Sequence, residues 1–399
     1  MISVGIDISK EKSTVCILKP YGEIILSPSE ILHTDPQLSK LVHFIRGLNE
    51  EVRIIMEATG AYHLPVLTFL LNEEFFISVI NPLVMKKYSN SGLRKGKTDK
   101  LDSIKIANYG LDNWYHLVKY KKSDPIYQQL QLLGRQYAHY MTLRINSKLA
   151  LTNLLDHTMP GIKPLLKSSL NVNFKDKLND FVATFWHFDN ITKKSEKQFI
   201  NVYNSWAKKM GYQQSDKKAL QIYRLALESI PTLPSDTPST KMLVLEAVRV
   251  LKEIDKTLSM ILTQMQELAK TLNEYEIVRA MDGVGDVLAP RLIAEIGNIQ
   301  RFHSASALIA YAGIDAPPFQ SGQFVGTHRK ISKRGSATLR KTGYEVMKCL
   351  KTIKPENNSV YQYIIKKEAE GKPKKVAKIA GLNKFLRIYY ARVKEAYQN

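Results

Sequence analysis

Over the first 120 residues, short apolar runs alternate with longer stretches of helical spacing, the pattern of an α/β domain. Ile2–Ile8, Thr14–Leu18 and Glu23–Leu26 predict three strands, separated by turns at Ser9–Lys12 and Pro20–Gly22, so a hairpin meander is expected. A helix around Gln37–Leu48, a strand at Val52–Met56, a helix around Tyr62–Leu71 and a strand at Phe76–Ile80 follow, and Asn81-Pro82 closes the last of these. A polar, basic loop from Ser89 to Lys97 then leads to Thr98, a suitable N-cap for a helix running to about Tyr109.

The middle of the chain changes period. Leu251, Ile254, Leu258, Ile261, Met265, Leu268 and Leu272 step alternately by three and four, the seam of a coiled coil. A less regular stripe runs through Leu130, Leu133, Tyr137, Met141, Ile145 and Leu149 in a helix from about Ile126 to Leu155. The pattern does not choose whether these helices pair within one chain or between chains. Between them, Asn171–Ser229 has a helical look but carries its Phe, Trp and Tyr at weakly periodic positions, with no function legible, and Pro231–Pro238 has the composition of a linker. Three modules are expected: 1–120, an α/β domain; 121–275, a helical coiled-coil region for assembly; and 276–399, mostly α.

Charge sharpens this picture. A formal net charge of +21 and a pI near 9.6 suggest a polyanionic partner, nucleic acid first. From Arg329 to Asn399 there are 19 Lys or Arg against 5 Glu, so two thirds of the excess falls in under a fifth of the chain. No apolar run approaches the roughly 18 residues of a membrane span. Met1–Lys10 lacks the order of a secretion signal, and two cysteines, Cys16 and Cys349, make no disulfide framework. A reducing bacterial cytoplasm, close to the nucleoid, is the expected compartment, with no membrane partner.

Four carboxylates stand out. Asp7 ends the run Val4-Gly5-Ile6-Asp7, Glu57 ends Ile54-Ile55-Met56-Glu57, and Asp99 and Asp102 lie three apart on one helix face. Taken singly they have plainer readings: a strand-end Asp forms turns, an i,i+3 pair is often a solvated face, Asp99 suits a helix start, and Glu57 suits a cap. Their joint placement on the first strand, the fourth strand and a late helix argues for one site. Gathered carboxylates repel unless a cation intervenes, and magnesium, which prefers oxygen ligands, is the natural one.

These residues carry a resemblance. Gly5-Ile6-Asp7, Glu57-Ala58-Thr59-Gly60-Ala61-Tyr62 and Lys97-Thr98-Asp99 with Asp102 resemble the RuvC-like DEDD domain of the Piv-related transposases of insertion-sequence family one-hundred-and-ten. Met281-Asp282-Gly283-Val284-Gly285, Ala294-Glu295-Ile296-Gly297, Phe302, Ala310-Tyr311-Ala312-Gly313, Gln320-Ser321-Gly322 and Ile331-Ser332-Lys333-Arg334-Gly335 resemble the C-terminal transposase domain of the same family. One departure is Ile314-Asp315-Ala316-Pro317-Pro318, where Leu-x-Pro is commoner; it leaves the proposed reactive groups in place.

The resemblance implies an RNase H-like first domain in which Asp7, Glu57, Asp99 and Asp102 hold magnesium. It also implies a serine, matched by Ser321, that joins DNA covalently. Ser332 and Ser336 remain rivals; Gly322 beside Ser321 permits close backbone approach, whereas Ser332 leads a basic stretch and suits a helix N-cap. Gly283-Val284-Gly285 before a helix from about Val287 to Ile296 has the form of a helix-hairpin-helix, whose amides can hold a phosphate, or else of a simple glycine turn. Arg329, Lys330, Lys333 and Arg334 are expected to grip phosphate as well. The family further implies a structured bridge RNA that pairs with target and donor DNA, and dimers paired into a tetramer.

Other classes stay open. The chain reads alternatively as a metal-dependent nuclease or Holliday-junction resolvase in which Ser321 is structural, or as a non-catalytic nucleic-acid binder. An actin-like sugar kinase also opens with a strand and an acidic loop, but Ile8 stands where such a loop needs glycine.

Overall fold

The computed structural model describes residues 1–90, 98–122, 124–166, 175–317, 320–321, 324–325 and 330–398, and of residues 320, 321, 324 and 325 the backbone alone. It divides into two compact units, Met1–Lys122 and Ser123–Asn399.

A run such as Ile2-Ser3-Val4-Gly5-Ile6, buried at every position, belongs at the centre of a sheet covered on both faces. The first unit builds that sheet from β1 (Ile2–Ile8), β2 (Lys12–Leu18), β3 (Ile24–Leu32), β4 (Val52–Glu57) and β5 (Phe76–Ile80), in the order β3-β2-β1-β4-β5. The first three strands form the antiparallel meander, and β4 and β5 run parallel to β1. This is the RNase H-like arrangement expected above. Side chains alternate across the sheet. Ile2, Val4, Ile6 and Ile8 join a core with Leu38, Leu41, Val42 and Ile45 of α1 (Asp35–Arg46) and Val66, Leu67 and Leu70 of α2 (Leu64–Asn72). Ser3, Gly5 and Asp7 face the other way, toward α4 (Asp99–Asp112).

Two elements exceed expectation. β3 runs on to Leu32, through Pro28, as an edge strand tolerates. Pro82, which closes β5, is also the first residue of α3 (Pro82–Ser89), capped by the Asn81 side chain on the Leu83 amide. Tyr88 of α3 meets Tyr109 of α4 edge to face at 5.2 Å.

The second unit is helical. α5 (Pro125–Thr158) and α11 (Pro238–Lys270) run antiparallel, as Tyr127 bonds to Glu274 at one end and Arg144 to Asp255 further along. The long helices therefore pair within one chain. From Leu251 onward the buried positions of α11 are Leu251, Asp255, Leu258, Leu262, Met265 and Ala269, whereas Ile254, Ile261 and Leu268 are only partly buried. Every second step of the expected seam is thus displaced by one residue. On α5 the expected stripe holds through Met141, but Ile145 and Leu149 are 56% and 60% exposed.

Between the long helices lie α6 (Ile162–Leu165), α7 (Lys177–Phe185), α8 (Asp189–Thr192), α9 (Glu196–Lys209) and α10 (Asp216–Glu228). Their core is aromatic, with Phe181, Phe185, Phe199, Tyr203 and Trp206 in mutual ring contact. After α11 come α12 (Tyr275–Arg279), α13 (Gly285–Ile296), α14 (Ala305–Ala312), the two-residue strands β6 (Gln320–Ser321) and β7 (Phe324–Val325), α15 (Ala337–Ile353), α16 (Ser359–Ala369) and α17 (Lys374–Glu395). These helices share one hydrophobic core with Tyr127, Leu130 and Tyr137 of α5 and Leu258, Leu262 and Met265 of α11. Among the described residues no helix is long and apolar enough to cross a membrane.

Candidate active site

Gly5 explains how a helix comes to lie so close to β1. A Cβ at this position would stand 2.3 Å from the Ser103 carbonyl oxygen and 2.4 Å from the Ala107 amide nitrogen, so only glycine admits the α4 backbone. Further along α4, a Cβ on Gly110 would meet Ser3 Oγ at 2.3 Å and Ile55 Cδ1 at 2.4 Å. The helix therefore runs antiparallel to β1, with Gly110 over Ser3 and Ser103–Ala107 over Gly5.

That track locates the acidic groups. Asp7 is two residues beyond Gly5 on the same face, about 6.6 Å along the strand. A helix covers that length in about four residues, so Asp7 comes under the first turn of α4, which carries Asp99 and Asp102. Glu57 ends β4, one residue after the Ile6–Met56 pairing, beside Asp7 and about 4.8 Å away in the sheet. It lies on the face of Ile55, which is again the α4 face. Thr98 caps the helix as expected, its Oγ1 accepting the Leu101 amide at 3.2 Å, and so fixes where the first turn begins. Asp7, Glu57, Asp99 and Asp102 are thus collected at one end and on one face of the sheet.

Two lysines join them. Lys105, one turn after Asp102, places its Nζ 2.9 Å from Asp102 Oδ1. Lys12 bonds to Glu30 at 2.8 Å, and its pKa is raised mainly by that bond, with a smaller contribution from the charge of Asp99. Among the described residues no three His, Cys, Asp or Glu side chains stand close enough to hold an ion as they are. The donors nevertheless suit a hard divalent cation in kind, being four carboxylates with no sulfur or imidazole among them. Sequence reasoning passed over Lys105, although its i,i+3 spacing from Asp102 was there to be read.

In the second unit the quoted motifs pack against one another. The Ser332 amide donates to the Asp315 carbonyl at 2.9 Å, the Lys333 amide to that of Gly313 at 3.0 Å, and the Ser336 amide to that of Tyr311 at 2.7 Å. A Cβ on Gly335 would sit 1.9 Å from the Tyr311 oxygen, so Tyr-Ala-Gly and Lys-Arg-Gly are two strips of one backbone clasp. Arg340 tightens it through bonds to the Ala312 and Gly335 carbonyls at 3.0 and 3.2 Å. β6, which holds Ser321, and β7 fall in the sequence between the two strips of this clasp. The Ser321 side chain, Gly322 and Arg329 lie outside the described residues. Lys330, Lys333 and Arg334 are exposed.

The rival serines are both engaged. Ser332 donates to the Asp315 carboxylate, so the departure at Asp315 does reach a candidate reactive group. Ser336, not Ser332, is the N-cap of α15, accepting the Leu339 amide at 3.0 Å while donating to Glu295 Oε2 at 2.9 Å. Glu295 and Asp315 had no assigned role in the sequence, because only the folded clasp brings them to the serines.

Gly283 and Gly285 both have positive φ, at 79° and 60°. Gly283 is a packing position, where a Cβ would come within 2.9 Å of Leu350 Cγ. Gly285 faces open space and begins α13, earlier than the expected Val287. No side chain caps that helix, and Asp286 in its first turn is paired with Arg279.

Residues 4–160 match the DEDD domain of a family described as Transposase, and residues 275–362 match the family described as Transposase IS116/IS110/IS902 family; together they cover more than half of the chain. The insertion element IS116 uncharacterized 44.8 kDa protein of Streptomyces clavuligerus is 22% identical over 370 residues, 93% of this chain and 89% of that protein. The pilin gene-inverting protein of Moraxella lacunata is 23% identical over 344 residues, 86% of this chain and 80% of its own length. The RuvC of Thermus thermophilus in complex with a Holliday junction substrate aligns with 29% of this chain and 96% of its own at 10% identity, with a TM-score of 0.23, too slight to add to the topology above.

Proposed function

The chain belongs to the IS110 transposase family, and from that premise we propose that it is the recombinase of an insertion sequence that cuts and rejoins DNA through a covalent phosphoserine. The observation that supports the reading is the backbone geometry: Asp7 and Glu57 stand at neighbouring strand ends, and the helix whose first turn carries Asp99 and Asp102 packs on that face. Two curated relatives that match over most of their length, one named for an insertion element and one for gene inversion, favour recombination over simple hydrolysis.

In this reading Asp7 and Glu57 from the sheet and Asp99 and Asp102 from α4 hold magnesium by their oxygens. Magnesium bound there would stabilise charge on the phosphate and on the attacking and leaving oxygens. Ser321 supplies the nucleophile: its oxygen forms a bond to phosphorus as the leaving sugar oxygen gives up its own. The serine proton is taken up by a base, and the leaving oxygen ends as a hydroxyl. One phosphoester replaces another, so the reverse attack by a sugar hydroxyl rejoins DNA without ATP. Lys330, Lys333, Arg334 and Arg329 neutralise phosphates near the serine, and the amides after Gly283 and Gly285 add backbone contact. Target and donor sequence would be read by a bridge RNA, leaving the protein to grip backbone. Dimers paired into tetramers would form through surfaces other than the seam that α5 and α11 bury against each other.

The test is a denaturation-resistant protein–DNA adduct, expected with wild type and absent with Ser321→Ala. Cleavage without any adduct would instead support a metal-dependent nuclease or junction resolvase. A second reading is favoured by one contact: Ser332 donates to Asp315, the arrangement of a hydroxyl beside a base. An adduct that persists in Ser321→Ala and disappears in Ser332→Ala would select it.

A further inference from the structure

We propose that Lys105 is a built-in counter-ion of the carboxylate site, holding Asp102 until a divalent cation displaces it, and thereby setting how tightly the site takes that ion. The inference rests on the assignment of Asp7, Glu57, Asp99 and Asp102 as metal ligands.

Four carboxylates at one end of a sheet are an unfavourable accumulation of charge in the absence of metal. Some cation must offset it. Lys12 is engaged by Glu30 at 2.8 Å. Lys105 sits on a member of the set itself, with Nζ 2.9 Å from Asp102 Oδ1. The two side chains are 28% and 26% exposed, so water and salt screen the pair less than they would on an open surface. The helix fixes the contact: residues three apart share a face, and Thr98 holds the register from which both are counted. An ammonium at hydrogen-bond distance and a dication compete for the same oxygen. Ion binding is then an exchange, in which Asp102 gives up one partner for another and Lys105 turns outward on its flexible stem. A lysine here weakens the site for metal while steadying it without metal.

The experiment uses the full chain without DNA and titrates it with MnCl2, a cation that takes similar oxygen ligands. The fall in the EPR signal of free Mn2+ reports binding. Lys105→Met, similar in bulk but uncharged, is expected to bind Mn2+ about three- to tenfold more tightly than wild type. Lys105→Arg is expected to stay near wild type, and Asp7→Asn to bind weakly or not at all. A second reading separates this role from mere support of the fold: Lys105→Met melts lower than wild type without the ion, and the deficit shrinks as MnCl2 is added. A lysine that only packs would leave the deficit constant. Unchanged or weaker binding by Lys105→Met, with Asp7→Asn still disabling the site, overturns the proposal and leaves the metal ligands standing. Binding that Asp7→Asn does not alter overturns both.

Discussion

Gly5 shows how much a single residue controls at the proposed site. Its missing side chain lets the backbone of α4 approach to where a Cβ would be 2.3 Å from a carbonyl oxygen, and that approach brings Asp99 and Asp102 over Asp7. Gly5→Ala must push the helix away, because the obstructing atoms are backbone and have no rotamer to adopt. We expect a loss of about 3 kcal/mol in urea denaturation and weaker Mn2+ binding. A variant as stable as wild type would contradict the track of α4 on β1. A second residue-scale prediction concerns Glu274, buried between the hydroxyls of Tyr127 and Tyr397. Burial, and then the bond to Glu274, push the Tyr397 hydroxyl up to about 12; Tyr127 is raised for the same reasons. A raised folded pKa gives stability that is complete below the unfolded value, about 10 for tyrosine, and is lost as pH climbs toward the folded one. The urea midpoint of wild type should therefore fall between about pH 10 and 12. Tyr397→Phe should show a shallower fall over that window, starting from a lower midpoint at pH 8.

At the scale of elements, what was legible depended on whether the partner lay nearby in the chain. β1, the fourth strand and the Thr98 cap follow from local alternation and local hydrogen bonding, and the ends of these elements are what position the four carboxylates. The helix Pro82–Ser89 was hidden because a proline that ends a strand also suits the first turn of a helix. Residues 175–228 read as weakly periodic because each stripe is short: α9 buries Phe199, Tyr203, Trp206 and Ala207 and α10 buries Ala219, Ile222, Tyr223 and Ala226, and the turns between the helices break the phase. The seam of α11 was legible in its spacing but not in its phase. A helix advances about 100° per residue, so positions one apart can both read as apolar stripes, and only the partner decides which is covered. Here α5, α7, α12 and α13 all pack against α11 within the unit. Leu262, 2% exposed, should therefore cost about 3 kcal/mol on replacement by Ala, and Ile261→Ala clearly less. Denaturation midpoints at unchanged m-value check the order. Equal losses would restore the expected phase. The clasp between Tyr311–Asp315 and Ser332–Ser336 was legible only as motifs; that they bond to each other needed the fold.

For the whole molecule the controlling quantity is charge. A chain of net charge +21 that gathers four carboxylates in its first unit keeps its positive excess elsewhere, above all after residue 329. Such a distribution grips nucleic acid by releasing counterions, a process that does not depend on base sequence. Affinity for DNA or RNA should then fall steeply and linearly on a double-logarithmic plot against salt. The exposed side chains of Lys330, Lys333 and Arg334, beside the clasp that frames the Ser321 segment, test the location of the grip. Each neutralised phosphate contributes about one unit to the salt slope, so Lys333→Ala with Arg334→Ala should lower it by about two while weakening related and unrelated sequences alike. Loss of affinity for one sequence only would mean that these residues read bases, and a bridge RNA would then be unnecessary for the choice of site. An unchanged slope would move the phosphate contacts to the basic helices beyond Ser336, where α15, α16 and α17 carry most of the remaining lysines.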